Sequence, residues 1–246
     1  MTTNEKVNNY RTTARVVGAL FLAGMVVYIA GNGIVQSILT SPDHLSTIPA
    51  KSMLLATAAM LMMLASVWDA AHGILMFPVL KQTSERAAFG YLGYRIVDAV
   101  LLAVGILFIL LQIPLGRAYL EAGVTNAIYL QALSTLSIQG SLYAYEIAMI
   151  FVGLAGLLLC STFYRANLVP RFIAIWGLVG YAVHMSGSVM QVLGFDLALM
   201  HTIPGGLWEL FIGVWLIAKG FKSSAFVSKA AATGPIMPEA AAVSAA

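Results

Sequence analysis

The sequence predicts an all-α fold, a polytopic integral membrane protein built as a bundle of six transmembrane helices. Three observations predict it. Of 246 residues, 60% are hydrophobic and only 9% charged, too little polar surface to cover a water-soluble domain of this length. Several apolar runs exceed the roughly 20 residues a helix needs to cross the hydrocarbon core. The basic residues fall in alternate turns between those runs, as in a chain that crosses a bilayer repeatedly.

Residues 1–14 form a polar leader containing Lys6 and Arg11, after which Arg15 opens a six-span domain covering 15–221. The first apolar run, about 16–39, is longer than the roughly 7–15 apolar residues of a signal peptide, so it reads as a retained span. A loop over 41–50, with Pro42, Asp43 and Pro49, leads to a second span at 53–80. A polar turn at 81–86 precedes span three, residues 88–113. Pro114, Arg117 and Glu121 then mark a loop, and an amphipathic stretch at 127–136 runs into span four, which ends at Tyr164. The basic turn with Arg165, Pro170 and Arg171 starts span five at 172–193; a short turn with Asp196 and Pro204 starts span six at 205–221. The tail, 222–246, is rich in Ala, Ser and Pro and has too little patterned apolar surface to fold, so disorder is expected.

Ten basic residues, Lys6, Arg11, Arg15, Lys81, Arg86, Arg165, Arg171, Lys219, Lys222 and Lys229, fall on one side of this topology; Lys51 and Arg117 fall on the other. Lys and Arg are retained in cytoplasmic loops, so both termini are expected in the cytoplasm and the protein in the inner (plasma) membrane. Trp176, Trp208 and Trp215 lie toward span ends, where interfacial anchoring would place them. The lipid bilayer is the one partner that composition alone implies. Nucleic acid is excluded, because the basic residues sit in short turns with no solvated domain to present them. Cys160, the single cysteine, precludes an internal disulfide and reads as a small packing residue. No HExxH, paired-histidine box, GxSxG elbow or glycine-rich phosphate loop is present, so neither catalytic residues nor a cofactor are expected and an enzyme is disfavoured.

The buried face of each helix follows from spacings of three and four residues. Span two gives Ala58, Met62, Ala65, Asp69, His72, Met76; span three gives Tyr91, Arg95, Asp98, Leu102, Gly105; span four gives Tyr143, Glu146, Ile150, Gly153, Leu157, Cys160. Span five gives Gly177, Gly180, His184, Gly187, Gln191, and span six gives Gly206, Glu209, Gly213, Leu216, Gly220. Small residues let membrane helices approach closely, and an ionisable group in hydrocarbon is costly. A glycine stripe that carries one therefore points into the bundle.

Depth, at about 1.5 Å rise per residue, divides these seven ionisable residues into two groups about 10 Å apart. Asp69, His72, Arg95 and Asp98 form an expected ion-pair cluster toward the cytoplasmic side, Arg95 being held by Asp98 on its own helix or by Asp69 across the bundle. Asp69 and His72 have the carboxylate and histidine spacing of di-metal helical bundles, but a complete site needs a second such pair and none exists, so no metal is assigned. Glu146, His184 and Glu209 form an expected outer polar site, in which two carboxylates and an imidazole can share protons or hold a cation. The three returning helices also repeat an aromatic residue directly before the acid: Trp68-Asp69, Tyr145-Glu146 and Trp208-Glu209.

Three blocks carry a family resemblance: RTTARVVGALFLAG from Arg11, the segment from YEIAMIFVGL at Tyr145 to FYRANLVPRFIAIWGLVGY ending at Tyr181, and WELFIGVWLIAKGF from Trp208. With them the chain resembles the bacterial multi-span proteins catalogued as domain of unknown function 4386, over about residues 11–221. The resemblance implies a compact helical membrane domain and supplies no activity, substrate or cofactor.

Two classes of function fit. One is a small transporter or ligand-binding membrane protein with a buried titratable Glu/His site for a small molecule or ion. The other is a non-catalytic structural or regulatory subunit, assembling with itself or another membrane protein through its glycine-lined faces.

Overall fold

The computed structural model describes residues 3–122, 124–198 and 200–222, with side chains from Tyr10 onward except at Val124 and Thr125. Its elements are α1 (Thr3–Leu39), α2 (His44–Lys81), α3 (Glu85–Leu110), α4 (Gln112–Glu121), α5 (Val124–Arg165), α6 (Arg171–Val192), a 3-10 turn at Met200–Thr202, and α7 (Ile203–Ala218). Six helical stretches are long and apolar enough to cross a membrane: Tyr10–Leu39, His44–Lys81, Glu85–Glu121, Asn126–Arg165, Arg171–Val192 and Met200–Ala218. The protein is thus an all-helical, multi-pass membrane protein. The tail over 223–246 and the leader's Met1 and Thr2 lie outside the described residues; the rest of the leader continues α1.

Boundaries depart from expectation in three places. α2 starts at His44, within the expected loop, and carries Pro49 inside it, which forfeits a single intrahelical bond near the start. The expected loop around Pro114 is instead α4: the chain breaks at Leu111, and Pro114 falls in the new helix's first turn, where no intrahelical N–H bond is lost. α7 begins at Ile203 with Pro204 in its first turn and stops at Ala218, earlier than expected. The amphipathic stretch at 127–136 is part of the 42-residue α5.

The helices form a closed ring in chain order. Each of α1, α2, α3, α5, α6 and α7 packs on the next, and α7 returns to α1. The α1–α7 closure rests on glycine, since a Cβ at Gly18 would stand 2.6 Å from the Gly213 carbonyl oxygen. One end of the ring collects Arg11, Arg15, Lys81, Arg86, Arg165, Arg171, Lys219 and Lys222 and is called here the basic end. The turn after α5 is fixed there by a Schellman motif: Asn167 takes φ 51°, the Leu168 N–H donates to Phe163 O at 3.1 Å, and the Asn167 N–H donates to Tyr164 O at 3.3 Å. Lys222 locks the same turn, its Nζ donating to Asn167 Oδ1 at 3.1 Å and its backbone N–H to Leu168 O at 2.8 Å.

The main core fills the basic half of the ring and includes Phe163, Leu168, Ile173, Trp208 and Leu216. A second apolar cluster, with Val35, Ile38, Ile48, Leu55 and Ile109, holds α1, α2 and α3 together at the opposite end. There Ser134 donates to Gln112 Oε1 at 2.6 Å and meets His44 Nε2 at 2.9 Å, tying α2, α4 and α5. Trp208 is not the interfacial anchor expected from its place near a span end. It is fully buried, and its indole N–H donates to Ile173 O at 2.7 Å across a face opened by Gly177.

Candidate functional site

The polar centre begins with Arg95, which α3 points into the ring. α2 approaches closely at Gly73, where a Cβ would lie 3.1 Å from the Cβ of Arg95. Arg95 Nη1 stands 3.1 Å from Asp98 Oδ2 and 3.4 Å from Asp69 Oδ1, so it pairs along its own helix and across to α2 at once. Its Nε donates to the Tyr91 hydroxyl at 3.3 Å. His72 fixes the far side: its Nε2 lies 3.2 Å from Val17 O, and its Nδ1 lies 3.5 Å from Arg95 Nη2. A carbonyl only accepts and a guanidinium only donates, so Nε2 carries the proton, Nδ1 offers its lone pair, and the imidazole is uncharged. The Phe21 ring covers it at 4.3 Å between centroids.

Glu209 belongs with this group. Its Oε1 accepts a 2.8 Å hydrogen bond from the Tyr181 hydroxyl, and it is within electrostatic reach of Arg95, Asp69 and Asp98. Sequence-based depth placed Glu209 with Glu146 and His184. α7 stops at Ala218, however, and the rise from Lys219 up to Glu209 equals that from Glu85 to Arg95, about 15 Å each. Each therefore stands about ten residues in from the basic end of its own helix.

Between these groups and α1 lies a cavity of about 650 Å³. Its polar lining comes from Asp69, His72, Arg95, Tyr181, His184 and Glu209, with Asn32 and Thr202, and Phe21, Tyr28, Trp68 and Tyr145 supply aromatic wall. Ile29 and Gly33 of α1 and Ile203, Leu207 and Leu210 of α7 line it too, and all five are exposed. The cavity therefore opens sideways, between helices that touch at Gly18 and Gly213 and separate toward the opposite end.

Glu146 is not on the cavity lining. It turns instead to His201, whose Nε2 lies 3.9 Å from Glu146 Oε2, and it interacts with Ser188. The His184 and His201 rings stand 5.8 Å apart. Thus Glu146, His184 and Glu209 are divided: His184 touches both neighbourhoods, facing the cavity on one side and His201 on the other. Glu146 Oε2, His184 Nε2 and His201 Nδ1 are buried with no hydrogen-bond partner among the described residues. No group of three His, Cys, Asp or Glu among those residues is placed to hold a metal ion.

His201 was missed because it precedes α7 in a turn and belongs to no helical stripe. A signal existed in Gly187, which lies against the His201 ring so tightly that a Cβ would collide with it. The aromatic and acid pairs also divide. Trp68 and Asp69 both line the cavity; on α5 only Tyr145 does, and on α7 only Glu209 does. Successive residues on a helix point about 100° apart, so one residue of each pair generally faces elsewhere.

No curated protein and no solved structure matches the chain. The sequence profile of a domain of unknown function, number 4386, matches residues 16–220, from the start of the first span to just beyond the last. That match takes in every helix of the ring and every residue of the polar centre, and the chain belongs to this family of proteins of unknown function.

Proposed function

We propose that the protein is a small transporter or ligand-binding membrane protein whose binding site is the cavity between α1 and α7. It would lie in the plasma membrane with its basic end, and so both termini, on the cytoplasmic side. The observation that carries this reading is the cavity itself. Buried charge in a membrane bundle that only fixes helix register needs no empty space beside it, whereas here Asp69, Arg95, His184 and Glu209 border about 650 Å³. Glu209 and His184 are the titratable members that touch the ligand; Glu146 acts from the adjoining His201 cluster.

The alternative, assembly with a partner through glycine-lined faces, has lost most of its surface. Gly153, Gly156, Gly177, Gly187 and Gly213 all press on other helices of the same chain.

Gly206 lines the cavity, and a Cβ there meets nothing within 4 Å, so Gly206→Phe fills space without disturbing a packed face. Native mass spectrometry of the protein from mild detergent is expected to show a retained small molecule or lipid on the parent and none on Gly206→Phe. An equal load on both, or none on either, counts against the site. In proteoliposomes, Glu209→Gln is expected to abolish any solute or proton flux that the parent shows.

A further inference from the structure

We infer that the cavity's ligand is an amphipathic organic cation, drawn in sideways from the hydrocarbon between α1 and α7; this rests on the cavity being a ligand site. Charge is the first argument. Arg95 is the one Lys or Arg on the lining, and it is only 3% exposed, with Asp98, Asp69, Tyr91 and His72 around its three nitrogens. It is therefore spent on protein groups and has little left for an anion. Against its single charge stand three carboxyls, Asp69, Asp98 and Glu209, with no charge on His72. Asp98 is fully buried behind Arg95, while Asp69, with 29% of its side chain exposed, and Glu209 face the cavity. Two carboxyls beyond neutrality must each carry a proton or meet a cation, since an unpaired carboxylate in hydrocarbon is too costly.

The walls are the second argument. Tyr28, Trp68, Tyr145 and Tyr181 surround the same space, and aromatic faces attract a poorly hydrated cation when water is excluded. Much of the remaining lining is aliphatic, from residues such as Leu20, Met25, Leu102 and Val152, and suits an apolar body, while Asn32 and Thr202 add two neutral polar groups. Access is the third. Ile29, Ile203, Leu207 and Leu210 of α1 and α7 line the cavity and are exposed, beside Asn32 and Thr202 at the same end, so the opening suits a solute with an apolar body and a polar group.

Tetraphenylphosphonium and tetraphenylborate have nearly one shape and opposite charge, and titration calorimetry of the purified full chain compares them. The phosphonium is expected to bind once per chain, at least about tenfold tighter than the borate, with Glu209→Gln and Asp69→Asn each weakening it about tenfold. Glu209→Gln keeps an acceptor for Tyr181, so the test survives if Asp69→Asn fails to fold. Gly206→Phe is expected to remove the binding, and binding that it leaves unchanged lies elsewhere and overturns the proposal. Borate binding as tight as phosphonium, or indifference to both acid substitutions, overturns the cation while leaving the cavity as a ligand site. Tetramethylammonium binding as tightly as the phosphonium overturns the apolar half. Neither probe binding, together with an empty cavity in native mass spectrometry, overturns both readings.

Discussion

Arg95 illustrates how much one side chain can fix. Its guanidinium reaches two carboxylates, a phenol and an imidazole on two helices, a geometry that a planar fork can satisfy and an ammonium cannot. Removing one partner of a buried pair leaves the other charge stranded, at a cost of about 3–5 kcal/mol. Arg95→Ala is therefore expected to destabilise the bundle by that amount in mixed-micelle unfolding, and Arg95→Lys to recover only part of it. The double substitution Arg95→Ala with Asp98→Ala is expected to cost less than the sum of the singles, because Asp98, fully buried, is then no longer left alone. A strictly additive pair would mean that the two groups do not depend on one another.

At the scale of helices, glycine separates into two kinds with opposite predicted responses. Gly18 is a contact: Gly18→Val pushes a side chain into the backbone of α7 and is expected to cost about 1–3 kcal/mol through overpacking. Gly206 borders open space, and Gly206→Ala is expected to stay within about 0.5 kcal/mol of the parent. Thermal unfolding of both in one detergent checks the contrast, and equal effects would contradict the packing described. The stripes on α2, α3 and α6 were legible in sequence because apolar, small and ionisable residues alternate there at helical spacing, whereas on α7 the buried face includes Gly205, Trp208 and Ile212, each one residue before the expected Gly206, Glu209 and Gly213. The stripe on α5 was only half right: Tyr143 is exposed, and the buried face runs instead through Ala144, Ala148, Val152, Ala155 and Leu159. α5 is covered by neighbours on two sides, α3 and α6, so apolar residues all round it leave little contrast to read.

The number of spans, the class and the inward turn of seven ionisable residues could all be read from composition and periodicity, since the bilayer punishes any other arrangement. Which residues meet could not. Glu209 lines the cavity with Arg95, and Glu146 meets His201, because of where α7 stops and how the 3-10 turn packs on α6, and neither leaves a pattern in the chain. Orientation is open to direct measurement. Thr83 is exposed at the basic end and Thr40 at the opposite end, while native Cys160 is fully buried and silent to an impermeant maleimide. Thr40→Cys is expected to react on intact cells and Thr83→Cys only after permeabilisation; the reverse order would invert the topology.

α1 and α7, almost two hundred residues apart along the chain, are neighbours in the fold, joined where Gly18 meets Gly213. Until α7 arrives, the ring is an unclosed arc, and the cavity that Asp69 and Arg95 line has lost one wall. A chain stopped after Val192 should thus be a substrate for membrane proteases, and its half-life in cells the measure of how late this fold becomes safe.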